Sequence, residues 1–133
     1  MCEEFTNAKE ELINKLKLYD LSLNDILCGI ISIDIGRNYK IFSDCPLIND
    51  FKNKEIKEKK INAKLKVGYT ENELDEFFSL IDEEYYSSYG AQELGGKIWM
   101  KNNTWFEREE YDGKEWWTYK KIPNIPKELQ KIE

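Results

Sequence analysis

Five acidic side chains crowd the stretch between residues 107 and 115, and pairs of carboxylates are the groups that acid–base hydrolysis uses. They are Glu107, Glu109, Glu110, Asp112 and Glu115. In an extended strand Glu107 and Glu109 point to the same side, about 6.5–7 Å apart. Productive catalytic pairs usually come from different elements around a cleft, and outward strand positions of an acidic protein are normally carboxylates. We therefore expect a solvated face here, with partner binding as its second use.

All four tryptophans of the chain flank this acidic stretch, and they are Trp99, Trp105, Trp116 and Trp117. Successive side chains of a strand point to opposite faces, so one of the adjacent Trp116 and Trp117 is expected to be exposed. Exposed aromatics of a small sheet either stabilise it as cross-strand pairs, or act as an interface hot spot or a platform for a base or a sugar ring. The candidate partner-binding residues are Trp105, Glu107, Glu109, Glu110, Tyr111, Asp112, Trp116, Trp117 and Tyr119.

Tyrosines cluster in the segment YYSSYGAQELGG, which begins at Tyr85 and is predicted to be a loop with its own structure. Loops of this kind often carry function. The candidate ligand-binding residues of this loop are Tyr85, Tyr86, Tyr89 and Gln92. They leave two functions open. One is binding of nucleic acid or a nucleotide-derived ligand together with Lys64 and Lys66, and the other is a small hydrolase that also uses acids of the 107–115 stretch.

The nucleic-acid alternative also draws on the lysine run of residues 52–60, KNKEIKEKK. Glutamates within the run and the lack of arginine weaken that case, so we interpret the run as a solvated loop. Charge is unevenly distributed, because residues 51–66 hold seven lysines against two glutamates and residues 71–115 hold thirteen acids against four bases. The net charge of −6 argues against general affinity for DNA or anionic membranes.

The sequence contains no histidine, and its three cysteines, Cys2, Cys28 and Cys45, show no C-x-x-C spacing. A mixed zinc site and a cysteine–histidine nucleophile pair are therefore excluded. Neither Gly36 nor Gly95 opens a helix with the glycine spacing of a phosphate loop. We expect no metal and no cofactor, favour a non-enzyme over an enzyme that would have to use carboxylates, tyrosines or lysines, and expect Cys28 to fill space in a buried strand.

The first half of the chain alternates apolar patterns with a long polar connection. Helical spacing predicts a helix at about residues 7–19 with Asn7 as its N-cap. Residues 26–35 are nearly continuously apolar and predict a buried central strand, and residues 39–42 are expected to pair back on it as a hairpin. Residues 43–60 have the composition of a flexible connection.

The second half is patterned more strongly. Residues 61–67 alternate as a strand, with Val67 as the last residue of its core face. Thr70 and Glu73 form a capping box before an amphipathic helix whose apolar stripe ends at Ile81. Three strand-like runs follow at residues 97–101, 104–111 and 115–121 as a meander, and the proline-containing residues 122–133 are expected to form an extended tail.

These elements predict a single α+β domain over residues 1–133. Its sheet is expected to have five or six mainly antiparallel strands, with two helices packed on one face and the order αβββαβββ. The acidic N-terminus and the lack of any 18-residue apolar stretch indicate a protein that is neither exported nor membrane-spanning, and reduced thiols favour the cytoplasm.

From about Leu65 to Pro126, chiefly in YGAQELGGKIW and EYDGKEWW, the chain resembles short uncharacterised proteins of bacteriophages and mobile elements. The resemblance implies no activity. It implies a setting in which small acidic proteins often inhibit a host protein by occupying its surface. We therefore expect a non-enzymatic interaction protein, a phage-encoded inhibitor or modulator of a host or defence protein, whose partner presents a basic surface to the acidic 107–115 stretch.

Overall fold

A computed structural model describes residues 5–42, 58–87, 90–123 and 126–129 of the chain. The helices are α1 (Ala8–Leu18), α2 (Arg37–Phe42) and α3 (Glu71–Leu80), and two single 3-10 turns span Leu23–Asp25 and Lys127–Leu129. The strands are β1 (Phe5–Asn7), β2 (Ile26–Ile35), β3 (Lys59–Leu65), β4 (Glu84–Tyr86), β5 (Leu94–Met100), β6 (Thr104–Tyr111) and β7 (Lys114–Lys121).

The five longer strands form one antiparallel sheet in the order β3-β2-β5-β6-β7, and β1 pairs with β4 in a separate antiparallel sheet. The predicted α+β class, the five-stranded antiparallel sheet and the C-terminal meander of β5, β6 and β7 are confirmed. The predicted element order lacked β1, α2 and β4. Each of these has six residues or fewer, too short for a periodic apolar pattern to develop.

Helices α1 and α3 begin at the predicted caps. The Asn7 side chain accepts a hydrogen bond from the Glu10 backbone N–H at 2.9 Å, and Thr70 and Glu73 form a reciprocal capping box. The buried side chains of α1 and α3 join one hydrophobic core with the inward residues of the sheet, among them Ile31 and Ile98. Both helices therefore lie on one face, which we call the covered face.

The described helices leave the other side of the sheet uncovered, and we call it the open face. Alternation along each strand assigns its residues, with one irregularity in β2 between Ile26 and Cys28. They are Cys28, Ile30, Ser32 and Asp34 of β2, Lys60, Asn62 and Lys64 of β3, Gly95, Lys97 and Trp99 of β5, Trp105, Glu107, Glu109 and Tyr111 of β6, and Lys114, Trp116, Thr118 and Lys120 of β7.

The predicted hairpin of residues 39–42 is wrong, because these residues belong to helix α2. Both edges of β2 are already occupied, by β3 on one side and by β5 on the other. The chain turns at Gly36, whose φ of 91° is a left-handed value, and then starts a helix that the Asn38 side chain ties to the backbone of Ala91.

Other boundaries also differ from prediction. Lys59 and Lys60, assigned to the flexible connection 43–60, belong to β3, while residues 43–57 lie outside the described residues. Val67 does not reach the core but is 67% exposed in a turn. The expected extended tail contains the 3-10 turn Lys127–Leu129. Cys28 lies half-buried on the open face, where burial raises the pKa of its thiol.

The predicted loop of residues 85–96 has strands at both of its ends. Tyr85 and Tyr86 lie in β4, and both side chains are buried, whereas Leu94 begins β5. Pairing between β1 and β4 explains the difference, since it joins segments about eighty residues apart that no local pattern relates. Tyr89 lies outside the described residues.

Gly96→Ala is expected to lower the free energy of unfolding by about 1–3 kcal/mol, the typical range for a strained backbone position. Gly96 has a φ of 157°, and a Cβ there would lie 2.5 Å from the Ile30 carbonyl oxygen. Gly95→Ala is the matched control, because its Cβ would meet only the Ser32 Oγ, at 3.4 Å. Urea denaturation measures both, and equal midpoints for the two variants would contradict this account.

Candidate functional site

The sheet divides the predicted partner-binding residues between its two faces. Trp105, Glu107, Glu109, Tyr111 and Trp116 lie on the open face, and Glu110 and Asp112 lie at the β6–β7 turn. Trp117 and Tyr119 point to the covered face, where Tyr119 stacks on Tyr19.

The predicted opposition of Trp116 and Trp117 is confirmed, since Trp116 is 37% exposed and Trp117 1%. A partner at the open face can therefore reach Trp116. From that face it cannot reach Trp117 or Tyr119, because both side chains lie on the opposite face of the sheet.

Trp99 and Trp105 face each other across β5 and β6 as direct cross-strand partners. The Lys97 ammonium lies 5.2 Å from the centre of the Trp99 ring and 5.8 Å from that of Trp105, within cation–π range. Leu27 and Ile122 extend this aromatic pair, and together with it they line a groove of about 330 Å³, here called the tryptophan groove.

The two open-face carboxylates of β6, Glu107 and Glu109, are paired with lysines. Glu107 accepts a hydrogen bond from the Trp105 indole N–H at 2.7 Å and lies 3.7 Å from the Lys97 ammonium and 3.6 Å from that of Lys120. Glu109 lies 3.3 Å from the same Lys120 ammonium and also accepts a hydrogen bond from the Thr118 hydroxyl.

These contacts decide what the carboxylate pair can do chemically. The Trp105 hydrogen bond and the two lysines lower the pKa of Glu107, and hydrogen bonds from Thr118 and Lys120 lower the pKa of Glu109. Acid–base hydrolysis needs one carboxyl that keeps its proton near neutral pH. Neither carboxyl does so, and the pair does not form the acid–base couple of a hydrolase.

The open face as a whole is not acidic. It carries five lysines against three carboxylates, Asp34, Glu107 and Glu109, although the protein has a net charge of −6. The acidic charge is concentrated elsewhere: residues 68–96 contain eight acids and no lysine or arginine, and α3 supplies four of these acids. The basic partner surface predicted for the 107–115 stretch would therefore fit the α3 side better than the open face.

Arg108 is the main feature that the sequence analysis missed. Its guanidinium is buried on the covered face and lies 2.7 Å from the Glu115 carboxylate and 3.1 Å from that of Glu11 on α1. It also donates to the Tyr85 hydroxyl at 3.0 Å and to the Leu94 carbonyl at 3.3 Å. We call Glu11, Tyr85, Arg108 and Glu115 the arginine cluster.

Burial opposes the charge of Arg108, but Glu11, Tyr85 and Glu115 raise the pKa of its guanidinium above the ordinary value. Tyr85 donates to Glu11 at 2.5 Å, and burial raises the pKa of Tyr85 well above its ordinary value. Glu115 also accepts hydrogen bonds from the backbone N–H groups of Glu93 and Leu94. The cluster is internally satisfied, so Tyr85 serves as a structural link and does not fit the proposed role in a hydrolase.

A second buried carboxylate, Glu93, holds α2 in place. It accepts hydrogen bonds from the backbone N–H and the side-chain amide of Asn38, at 2.9 and 3.0 Å, and from the Tyr86 backbone N–H at 3.0 Å. Burial raises the pKa of the Glu93 carboxyl above its ordinary value in spite of these donors.

The period-two pattern of the strands contained the information that Arg108 and Glu115 are buried. Arg108 has the same phase as the buried Thr104 and Phe106, and Glu115 has the phase of Trp117. A charged side chain in the inward phase of a strand requires a buried partner of opposite charge. Arg108 and Glu115 are those partners, although Glu115 was expected to belong to a solvated acidic face.

The remaining candidate residues do not converge on one site. Lys64 lies on the open face, Lys66 is exposed beyond the end of β3, and residues 52–57 lie outside the described residues. Gln92 donates to the Leu94 carbonyl at 2.8 Å. Among the described residues, no cluster of three or more Cys, Asp or Glu side chains is arranged to hold a metal ion. Nor is any helix in the described ranges long and apolar enough to cross a membrane.

Comparison of the chain with protein-family models, with curated proteins and with solved structures finds no match. The resemblance to proteins of phages and mobile elements therefore stays a prediction. The function has to be inferred from the surfaces described above.

Arg108→Ala is expected to lower the free energy of unfolding by about 3–5 kcal/mol, because it leaves buried carboxylates without their cation. Lys59→Ala is the control, since it removes an ion pair of similar length, 2.8 Å to Glu83, in which Lys59 is 55% exposed. Such a surface pair contributes about 0–1 kcal/mol. Chemical denaturation measures the free energy of unfolding of both variants. Comparable decreases in the two variants would show that the arginine cluster contributes no more to stability than a surface pair.

The pKa of Glu93 predicts a pH dependence opposite to that of most carboxylates. Because folding raises this pKa, the folded state binds the proton more tightly, and the contribution of Glu93 to stability falls as the pH rises through the raised pKa. The measurement is the free energy of unfolding from pH 5 to pH 8, for the unmodified protein and for Glu93→Gln. The value for the unmodified protein should increase relative to the value for the variant as the pH falls. Titrations of groups remote from Glu93 cancel in the difference, and a difference independent of pH would contradict the raised pKa.

Proposed function

We propose that this protein is a non-enzymatic binding protein whose open face docks a partner protein. The observation that carries the proposal is the set of partly exposed tryptophans, Trp99, Trp105 and Trp116, on a sheet face that no described helix covers. Tryptophan is the side chain most enriched at binding hot spots, since it buries a large apolar area with few rotatable bonds.

The apolar surroundings of the tryptophans favour a protein over a nucleic acid. Leu27, Ile30 and Ile122 are exposed large apolar side chains, and Leu27 and Ile122 adjoin the tryptophan groove. The cations nearest the rings, Lys97 and Lys120, are engaged by Glu107 and Glu109. A phosphate would have to displace those carboxylates, whereas an apolar side chain of a partner would not.

The chemistry of the face indicates the chemistry of the partner. An aromatic or aliphatic side chain entering the tryptophan groove would serve as the anchor. Acidic side chains around that anchor would complement the lysine excess of the open face, which includes Lys64, a lysine without an ion pair among the described residues. This partner differs from the basic surface inferred from the sequence.

The resemblance to phage-borne proteins favours a bacterial protein as the partner. Occupation of that protein's surface, and so its inhibition, would be the biological role. A nucleic acid is the alternative, and open-face lysines of β3 such as Lys64 support it.

The test begins with the whole chain as bait in a bacterial lysate and continues with the retained protein, identified and purified. Calorimetric titration then compares the protein with Trp99→Ala/Trp105→Ala. We expect the double substitution to weaken Kd roughly thirtyfold or more, as the loss of a hot spot of at least about 2 kcal/mol requires.

Leu80→Ala is the control, because Leu80 is 50% exposed on α3, away from the open face, and its substitution should leave Kd unchanged. Circular dichroism establishes that both variants are folded. An affinity unchanged in Trp99→Ala/Trp105→Ala contradicts the proposal. Binding of a single-stranded oligothymidylate that depends on the same tryptophans and weakens steeply with salt would assign the face to nucleic acid instead.

A further inference from the structure

The open face has a second concavity, at the opposite end of β2 and β5 from the tryptophan groove. It encloses about 350 Å³, within the range of small-molecule sites, and we call it the polar depression. Its principal lining residues are Ser32, Asp34, Arg37, Lys60, Asn62 and Gly95.

Strand register explains how these side chains converge. Ser32 of β2 lies directly opposite Asn62 of β3 on one side and Gly95 of β5 on the other. Asp34 is opposite Lys60 in the next outward row. A Cβ at Gly95 would meet only the Ser32 Oγ, at 3.4 Å, so the missing side chain at this position leaves space open and does not relieve a clash.

The charged groups around the polar depression have unused bonding capacity. In the described ranges, the Lys60 ammonium and the Asp34 carboxylate form no ion pair and no side-chain hydrogen bond. Within the part of the chain that the structure describes, the Arg37 guanidinium makes one hydrogen bond, to the Gln92 carbonyl at 3.2 Å. A guanidinium and an ammonium with free N–H donors are the groups that bind phosphate oxygens, and a free carboxylate accepts hydrogen bonds from hydroxyl groups.

The start of helix α2, which carries Arg37, is preorganised by hydrogen bonds. Asn38, the next residue, exchanges hydrogen bonds with the backbone of Ala91 at 2.7 and 2.8 Å and donates twice to the buried Glu93 carboxylate. The Asp34 backbone N–H donates to the Glu93 carbonyl at 2.7 Å. These bonds hold α2, the end of β2 and the segment before β5 together, so a ligand would not have to order them.

We propose that the polar depression binds a small phosphate ester that carries hydroxyl groups, of the size of a nucleoside monophosphate. Arg37 and Lys60 hold the phosphate, Asp34 accepts hydrogen bonds from the hydroxyl groups, and Ser32 and Asn62 hydrogen-bond the remaining polar edge. The site is separate from the tryptophan groove, and it stands whether or not a protein docks on the open face.

The experiment titrates the isotope-labelled full chain with adenosine monophosphate, ribose 5-phosphate, adenosine and inorganic phosphate, and follows the backbone amide signals by NMR. We expect at least one of the two phosphate esters to shift the signals of Ser32, Asn62 and Gly95, with a Kd about tenfold or more below those of adenosine and inorganic phosphate. A nucleotide ligand is indicated if adenosine monophosphate binds more tightly than ribose 5-phosphate, and a sugar phosphate if the two bind alike.

Three variants locate the site. Gly95→Val fills the polar depression and should abolish the shifts, and Lys60→Gln should raise Kd about tenfold through the loss of one charged contact. Lys64→Gln is the matched control, with the same charge change on the same strand and face but outside the depression. Lys60 is exposed, so its variant keeps the test valid if Gly95→Val does not fold. Absence of shifts at millimolar ester overturns the proposal, and so does equal weakening by Lys60→Gln and Lys64→Gln, which would mean diffuse attraction of anions only.

Discussion

The buried contact between Arg108 and its carboxylates connects more of this fold than any other single interaction described. Arg108 is on β6, Glu115 on β7, Glu11 on α1 and Tyr85 on β4, and Glu115 also holds the backbone at the start of β5. A guanidinium with five fixed N–H donors can satisfy several acceptors at once, which an ammonium cannot do with the same geometry. The arginine cluster thereby sets how α1 and the β1–β4 pair sit on the meander.

Local periodicity was enough for the elements that are long and one-sided. The sequence predicts the alternation along β6 and β7, the bounds of β2 and the capping box of α3. In these segments the local preference of each residue agrees with its place in the fold. Periodicity failed at α2 and β4, which are short and are held by Asn38, Glu93 and the distant β1. Tertiary contacts decide the structure of such segments.

The candidate surface was predicted in part, for the same reason. Alternation placed Trp116 and Trp117 on opposite faces, but it could not say which face the helices would cover. Counting charge along the chain predicted an acidic surface at residues 107–115. In the folded sheet, the neighbouring strands β5 and β7 bring Lys97 and Lys120 beside Glu107 and Glu109, and Glu115 turns inward. The result is a molecule whose lysine-rich open face and acidic α3 have opposite charge.

The unequal environments of the four tryptophans give the protein two optical reporters. Trp117 is enclosed, with the Arg108 guanidinium 5.2 Å from its ring centre, whereas Trp99, Trp105 and Trp116 lie on the open face. Water-exposed indoles emit at longer wavelength and are quenched by solutes such as acrylamide, so occupation of the open face should protect three emitters and leave the fourth unchanged. Loss of the core packing should expose Trp117 to water and to the quencher. Intrinsic fluorescence can thus separate a binding event from an unfolding event without any added label.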